Sequence, residues 1–258
     1  KYKSEKGLYA VCLPPEIIRA YIEKISRKLV RQLTSQEIVR EHPLMEYVQK
    51  KSFKISRVAL GTAQFGLQYG IANQTGKPNE REIGKILETA YAMGINLLDT
   101  ASAYGDSERV IGRMLSAYRV GSRLLVAAKL PKLQCTGSRM MDREITQHLE
   151  TSLRNLQLDC IPIYLLHDET DMATYQGYPF ECLARQAKKG KVGLSGVSVY
   201  TPEAAEAALE NPLVQVIQVP FHVFDQRLNH INFFQRAENM QKLIVVRSVF
   251  LQGLFFLL

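Results

Sequence analysis

Short apolar runs alternate with helical segments along most of this chain, and this alternation limits the folds open to it. The runs begin after Ser56, and the segments between them carry apolar residues at helical spacing. Strands that alternate with helices in this way build βαβ units and a parallel sheet. Nearly continuous apolar runs indicate that helices cover both faces of that sheet. The predicted strands are Val58–Leu60, Ile95–Leu98, Leu124–Ala128, Ile161–Leu166, Val192–Val197, Val214–Val219 and Leu243–Val246.

The intervening helices leave two architectures open, a doubly wound open sheet and a (β/α)8 barrel. The loop after the first strand, GTAQFGLQYGIANQTGKPNE, lacks the G-x-G-x-x-G pattern of a dinucleotide-binding open sheet. Polar residues end many of the strands, which is typical of a barrel, where sites are assembled from several strand ends. We therefore predict an α/β fold of the (β/α)8 TIM-barrel class. The predicted helices are Glu80–Met93, Ser107–Leu115, Met141–Leu156, Phe180–Lys189, Pro202–Leu209 and Phe233–Gln241.

The strands after Ser56 fill only seven positions of such a barrel, and the sequence stops at FLQGLFFLL soon after the seventh. We expect strand eight and the last helices to be absent from the supplied chain, because a longer C-terminus has been omitted. An open barrel would expose backbone groups of Val58–Leu60 and Leu243–Val246, and no charged residue protects the second edge. The sequence thus predicts that residues 1–258 alone aggregate and bind cofactor weakly.

The N-terminal part differs from the rest in charge and in pattern. Residues 1–57 hold 13 Lys and Arg against 6 Asp and Glu, whereas the remainder holds 20 against 19. Residues 14–50 have the apolar spacing of helices. We predict a basic helical extension over residues 1–54 and a barrel domain over residues 55–258. The extension is interpreted as a packing appendage or the remnant of a linked domain, with a protein partner bound through residues 1–50 as the alternative.

Composition argues against several functional classes. The net charge of +8 could favour nucleic acid, but no zinc-finger spacing or RNP-type motif accompanies the basic segment. No apolar run approaches the ~20 residues of a membrane span, and GLYAVCL is too short for a signal peptide. Scattered cysteines without a C-x-x-C pair are typical of reduced thiols and not of a zinc site. We expect a cytoplasmic protein without a metal; its cysteines are Cys12, Cys135, Cys160 and Cys182.

Four polar residues at neighbouring strand ends form a candidate site for proton transfer. Asp99 and Tyr104 lie in DTASAYGDSE after the second strand, and Lys129 and His167 follow the next two strands. Each has a structural explanation when taken alone, but a barrel would place all four around one opening. Tyr104 could donate a proton if the Lys129 ammonium lowers its pKa from about 10. Asp99 would hold Lys129, and His167 would hydrogen-bond the oxygen that receives the proton.

At these residues the sequence resembles the aldo/keto reductase family, which uses Asp, Tyr, Lys and His in this chain order in a (β/α)8 barrel. The opening LGTAQFGLQYGIAN resembles a bacterial-type branch of that family. The resemblance implies reduction of an aldehyde or ketone by hydride transfer from NADPH, with Tyr104 as the general acid. The matching stretches are GTAQFG (61–66), LLDTASAYGDSERVIG (97–112), AAKL (127–130), LETSLRNLQLDCIPIYLLH (149–167), GKVGLSGVSVY (190–200) and IQVPFHVFDQR (217–227).

The resemblance also implies where a nicotinamide cofactor binds. The family uses a Ser-Asn pair after strand five; Ser198 matches it, but Val199 stands where asparagine is expected. After strand seven, Arg247 replaces a residue that is often aromatic, and a guanidinium can stack on a planar ring. NADPH over NADH is implied by the family alone. The implied cofactor contacts are Gly61, Thr62, Ser198, Gln218, Arg247, Ser248 and Gly253.

Two other interpretations stay open at this stage. Lys129 at a barrel strand end also suits a Schiff-base lyase, because a desolvated lysine is a good carbonyl nucleophile. The second alternative is a non-catalytic regulatory or interaction protein of the same fold that binds the cofactor. Val199 and the basic N-terminal segment favour that alternative.

Overall fold

A closed barrel of parallel strands forms the centre of the molecule in the computed structural model. The structure describes residues 9–13, 15, 45–118, 123–135 and 137–256. The barrel order is β1-β10-β9-β8-β7-β6-β5-β4, and β2 and β3 form a separate antiparallel pair. This confirms the (β/α)8 prediction. The strands are β1 (Tyr9–Leu13), β2 (Tyr47–Lys50), β3 (Phe53–Ser56), β4 (Val58–Gly61), β5 (Leu97–Asp99), β6 (Leu125–Leu130), β7 (Ile161–Leu166), β8 (Val192–Ser198), β9 (Val216–Pro220) and β10 (Leu243–Arg247).

Helices follow the barrel strands and cover their outer surface. They are α1 (Glu80–Ala92), α2 (Ser107–Ala117), α3 (Ser138–Leu156), α4 (Tyr178–Lys188), α5 (Pro202–Glu210) and α6 (Phe233–Asn239). Shorter helical turns occur at Ala63–Gly66, Glu169–Met172, Thr174–Gly177, Arg227–His230 and Leu251–Phe256. Among the described helices, none is long and apolar enough to cross a membrane.

The strand β1 closes the barrel from the N-terminal side. It pairs in parallel with β10 on one side and with β4 on the other. The prediction of an open edge between the first and seventh predicted strands is therefore wrong. The prediction of aggregation rested on that edge and loses its physical basis. The apolar segment YAVCL supplies the missing edge, so that the backbone groups of β4 and β10 have partners. Residues 9–13 thus belong to the barrel, although the sequence analysis placed them in the extension.

Residues 47–56 also differ from the predicted helical extension. They form the β2–β3 hairpin, in which Tyr47 pairs with Ser56 and Lys50 with Phe53. Val48 and Ile55 pair in the register of the hairpin and are both buried in the interior apolar cluster, so they lie on its same face. The remaining predicted helices of the extension, within residues 16–44, lie outside the described part of the chain.

Two apolar clusters divide the barrel residues by the two-residue period of each strand. One cluster lies inside the barrel and includes Leu97, Ala127 and Leu165; the other lies between strands and helices and includes Leu98 and Leu166. Because successive side chains on a strand point to opposite faces, residues two positions beyond an interior residue face inward again. The interior positions at the carboxyl ends of the strands therefore decide what lines the mouth of the barrel.

We predict that closure by β1 depends on the backbone amide of Val11, which donates to the carbonyl oxygen of Arg57 at 2.8 Å. Val11→Pro removes this donor from a strand inside a closed barrel and should cost about 3 kcal/mol or more of the free energy of unfolding. Urea unfolding with parallel light scattering measures the loss of stability and any association through the exposed edges. The control Val11→Ala keeps the amide; if both variants unfold alike, β1 is not needed for closure.

Candidate active site

The strand ends converge on one cavity of about 300 Å³ at the carboxyl end of the barrel. Asp99 follows interior Leu97 by two positions, and Lys129 follows interior Ala127 in the same way. His167 likewise follows interior Leu165 by two positions. The cavity is lined by Cys12, Leu13, Pro15, Gly61, Thr62, Ala63, Gln64, Tyr69, Gly70, Asp99, Tyr104, His167, Tyr200, Gln218, Arg247, Ser248, Val249, Phe250 and Gln252.

A buried ion pair lies at the floor of this cavity. The Lys129 Nζ donates to Asp99 Oδ1 at 2.8 Å and to the carbonyl oxygen of Thr100 at 2.8 Å, with the Lys129 side chain fully buried. Gln218 Nε2 donates to the same Asp99 oxygen at 3.0 Å. Burial acts to lower the pKa of Lys129, but the Asp99 carboxylate raises it above its ordinary value. Lys129 is therefore a fully charged ammonium held in one position.

Hydrogen bonds tie the loop that carries Tyr104 to both neighbouring strands. Ser102 Oγ donates to the carbonyl oxygen of Lys129 at 3.0 Å, which joins the loop to β6. Ser107 Oγ donates to the carbonyl oxygen of Thr62 at 3.0 Å, which joins it to the end of β4. The amide of Ser107 closes a turn on the Tyr104 carbonyl at 3.1 Å. The serines of DTASAYGDSE thus fix the position of the tyrosine.

Two glycines allow the Tyr104 loop to approach the first strand-to-helix segment closely. A Cβ on Gly66 would lie 1.8 Å from the Tyr104 carbonyl oxygen and 2.5 Å from the Ser107 amide nitrogen. Gly105 has φ +59°, and a Cβ there would lie 2.6 Å from the Gly66 carbonyl oxygen. Any side chain at Gly66 would push backbone against backbone, so this contact sets the height of Tyr104 above the cavity floor.

The charge environment of Tyr104 differs from the sequence-based expectation in its net direction. Lys129 Nζ lies 5.0 Å from the centroid of the Tyr104 ring. Burial raises the pKa of Tyr104 above its ordinary value, and the nearby Lys129 ammonium lowers it only in part. The expected effect of Lys129 is present, but the loss of hydration outweighs it. In this structure Tyr104 is a protonated phenol, the form that a proton donor requires.

His167 completes the group on the opposite wall. Its ring centroid lies 6.0 Å from that of Tyr104, and the two rings meet edge to face. Burial lowers the pKa of His167 to about 4, and the charge of Lys129 contributes to the shift. The imidazole is therefore neutral near pH 7 and has one N–H to donate.

Two buried polar atoms near the cavity have no hydrogen-bond partner within the described residues. They are Ser198 Oγ and Gln218 Oε1, on strand residues that stand side by side in the register of β8 and β9. A buried polar atom without a partner is costly unless a ligand supplies one. Thr62, by contrast, is satisfied internally, because its Oγ1 donates to the Asp99 carbonyl oxygen at 2.9 Å.

The other predicted cofactor residues occupy different places at the mouth. Gly61 and Ser248 line the cavity with Arg247, whose guanidinium carbon lies 4.1 Å from the centroid of the Tyr200 ring. Gly253 is buried and is not a cavity-lining residue; a Cβ there would lie 2.8 Å from Ala72 Cβ. Gly253 therefore acts on the cavity only through the fold of the adjoining segment.

Sequence reasoning missed Cys12 as a residue of this site. It is buried on β1, two positions from interior Ala10, and it lines the cavity. Burial and the nearby Asp99 carboxylate raise the pKa of Cys12 well above its ordinary value, so the thiol stays protonated. The alternation of YAVCL was the available signal, but it has meaning only once the segment is known to be a barrel strand.

We predict that Gly66→Ala displaces Tyr104 and lowers any activity that depends on it by 10-fold or more, since a misplacement of about 1 Å costs on the order of 10²-fold. Steady-state kinetics and the near-ultraviolet signal of the tyrosines report the displacement. Gly137→Ala is the matched control, because a Cβ at Gly137 meets nothing within 4 Å. Normal activity in Gly66→Ala would contradict a role for this backbone contact.

We predict that His167 titrates near pH 4, well below the ordinary His value of about 6.5. Because its folded-state pKa is depressed, the stability associated with the neutral ring is present above about pH 6.5 and decreases as the pH falls through about 4. Nitrogen-edited NMR of the imidazoles, assigned with His167→Gln, gives the titration directly. A His167 midpoint near 6.5 would show that the ring is hydrated and not held as described.

Known proteins of one family are similar to this chain. The sequence model of the aldo/keto reductase family matches residues 57–256. An uncharacterised oxidoreductase of Mycobacterium tuberculosis is 31% identical over 210 residues, covering 78% of this chain and 60% of the relative. Aldo-keto reductase YhdN of Bacillus subtilis is 26% identical over 196 residues, covering 71% and 56%. The chain thus spans about 60% of the length of the curated relatives it matches.

Solved structures share the same architecture. An aldo-keto reductase from Pseudomonas aeruginosa superimposes with a TM-score of 0.68 at 25% identity, covering 84% of this chain and 82% of that one. The glycerol dehydrogenase of Gluconobacter oxydans gives a TM-score of 0.63 at 26% identity, covering 81% and 64%. With a matching family model, a relative above 30% identity and a shared barrel, the chain belongs to the aldo/keto reductase family.

Proposed function

We propose that this protein reduces an aldehyde or ketone with NADPH, with Tyr104 as the general acid. The observation that carries the proposal is a cluster of four side chains, of which three line the cavity and the fourth, Lys129, is buried against Asp99. Asp99 holds Lys129 at 2.8 Å, and Lys129 Nζ lies 5.0 Å from the Tyr104 ring centroid. His167 stands 6.0 Å from the same ring, centroid to centroid. The four come from the ends of three neighbouring strands and the loop after the first of them, as is typical of a barrel active site.

In this proposal the protein's own residues move and stabilise a proton. Tyr104 gives its phenolic proton to the carbonyl oxygen of the substrate, and the Lys129 ammonium stabilises the phenolate that results. The neutral His167 donates its N–H to the same carbonyl oxygen and orients it. Asp99 keeps Lys129 charged and in place, so Asp99 acts through Lys129.

The residues near Ser198 and Gln218 fit a nicotinamide cofactor. A carboxamide carries both donors and an acceptor, which are the partners that Ser198 Oγ and Gln218 Oε1 lack within the described chain. When bound, the reduced nicotinamide supplies the hydride. We include Gly61, Ser248 and Gly253 in the proposed cofactor-binding region, as the family resemblance implies. Thr62 also lines the cavity.

The geometry disfavours the Schiff-base lyase. A lysine nucleophile must lose its proton, and burial without a countercharge is what lowers a lysine pKa. Here the Asp99 carboxylate raises the pKa of Lys129, and Asp99 and the Thr100 carbonyl occupy two of its three N–H donors. Lys129 is therefore positioned as a fixed cation and not as a nucleophile.

The non-catalytic alternative has one supporting observation. Val199 is buried, and its side chain has no amide group of the kind that the expected asparagine would supply. Its backbone N–H donates to the Gln218 carbonyl oxygen at 2.8 Å. Weakened cofactor binding would follow from the missing contact, but the four residues proposed to handle the proton are unaffected by it. We place the activity in the cytoplasm, because the four cysteines are free thiols.

We predict that Tyr104→Phe abolishes carbonyl reduction while leaving NADPH affinity within about threefold. The phenylalanine keeps the ring and removes the proton, and a general acid contributes roughly 10²–10⁴-fold. Loss of NADPH absorbance at 340 nm with a panel of aldehydes measures turnover, and fluorescence titration measures cofactor binding.

Tyr175→Phe serves as the control, because Tyr175 is exposed and does not line the cavity. Near-normal reduction by Tyr104→Phe would remove Tyr104 from the mechanism. Binding of NADPH without reduction of any carbonyl by the unmodified protein would favour the non-catalytic alternative.

A further inference from the structure

Arg247 is a cation in the cavity wall without an acidic partner among the described residues. It is the last residue of β10 and follows interior Val245 by two positions, so its side chain lies on the same face of the strand as that of Val245. Arg247 also lines the cavity. The cavity-lining residues include one carboxylate, that of Asp99, and Lys129 already neutralises it. The lining therefore carries an excess positive charge that the protein itself does not balance.

Contacts to Tyr200 and to two oxygen atoms hold the guanidinium but leave donors unused. Its carbon lies 4.1 Å from the Tyr200 ring centroid, so the ring covers one face. Nη2 donates to the Val199 carbonyl oxygen at 3.3 Å, and Nη1 to Ser248 Oγ at 3.4 Å. Both bonds are at the long limit for an N–H donor, and a guanidinium has five N–H groups. A stacked guanidinium with free donors is suited to bind a carboxylate with two oxygens.

The positive charge of Arg247 acts across the cavity. It opposes protonation of His167 and favours ionisation of both Tyr69 and Cys12, residues on separate walls. His167 is neutral near pH 7 and adds no second charge. An anionic group that enters the cavity would thus be attracted to one place, the guanidinium edge of Arg247.

We propose that Arg247 makes this protein selective for carbonyl substrates that also carry a carboxylate, which the guanidinium binds while the carbonyl lies beside Tyr104. The inference rests on the proposed carbonyl reduction, since it names the substrate class of the same cavity. The phosphate groups of a dinucleotide offer the same anionic chemistry, so the experiment has to separate the substrate's anion from the cofactor's.

The experiment compares aldehydes that differ only in charge. The pairs are 4-carboxybenzaldehyde with methyl 4-formylbenzoate, and succinic semialdehyde with methyl 4-oxobutanoate. At saturating NADPH, we expect kcat/KM to favour the carboxylate of at least one pair by about 10–100-fold, the range for a hydrogen-bonded charge pair. Because both members of a pair share the cofactor, their ratio is insensitive to cofactor affinity.

Arg247→Gln should reduce that ratio to near one, because kcat/KM for the carboxylate should fall more than kcat/KM for the ester. Arg247→Lys should restore part of the preference for the carboxylate, because lysine supplies the positive charge but not the two parallel N–H donors of the guanidinium. Arg227→Gln is the matched control: Arg227 pairs with Asp225 on the surface and does not line the cavity. Its ratio should equal that of the unmodified protein.

Three results would overturn the proposal. The first is that the unmodified protein prefers neither carboxylate over its ester. The second is that the preference survives in Arg247→Gln. The third is that Arg247→Gln lowers kcat/KM equally for the carboxylate and the ester. An equal loss that coincides with weaker NADPH binding, measured by fluorescence titration, would assign Arg247 to the cofactor's anion.

A binding measurement keeps the inference testable if no carbonyl is reduced, which would refute the proposed function by itself. Calorimetric titration with benzoate and benzamide, with and without NADP⁺, needs no turnover. Tighter binding of benzoate that Arg247→Gln removes supports the anion site. Equal binding of the two compounds, or a preference unchanged in Arg247→Gln, contradicts it.

Discussion

The buried ion pair between Lys129 and Asp99 is the interaction on which the site depends. Taking two charges out of water is costly, and removing either partner from such a pair costs about 3–5 kcal/mol. The pair also joins the ends of β5 and β6, and the carbonyl of Lys129 accepts the hydrogen bond that holds Ser102 in the tyrosine loop. Lys129 therefore supplies the charge of the site through its side chain and anchors the tyrosine loop through its backbone carbonyl.

The sequence predicted the barrel and the convergence of its strand ends because both follow from local patterns. Nearly continuous apolar runs separated by amphipathic helices indicate a parallel sheet covered on both faces, and polar residues at the ends of the runs mark the mouth of the barrel. Asp99, Lys129 and His167 each lie two positions beyond an interior residue; Asp99 and His167 line the cavity, and Lys129 is buried against Asp99. Their roles in a reaction remain a prediction, since geometry gives proximity and not turnover.

The features that the sequence did not reveal depend on distant partners or on burial. The segment Tyr9–Leu13 lies outside the alternating pattern that begins after Ser56, and its partners Val58–Leu60 and Ile244–Val246 are remote in the chain. Cys12 could not be placed in the site before that strand was. The pKa of Tyr104 was expected to fall, but the cost of burying a phenolate exceeds the effect of Lys129, and the extent of burial is a property of the folded barrel alone.

Closure by β1 has a consequence for the order in which the molecule is made. Tyr9 pairs with Ile244, so β1 is synthesised long before its partner β10, and the ring cannot close until β10 has been made. Contacts between such distant residues form slowly, because a long loop must close before they stabilise the chain. Until the ring closes, the edge strands and the apolar segment YAVCL are open to pairing with other chains.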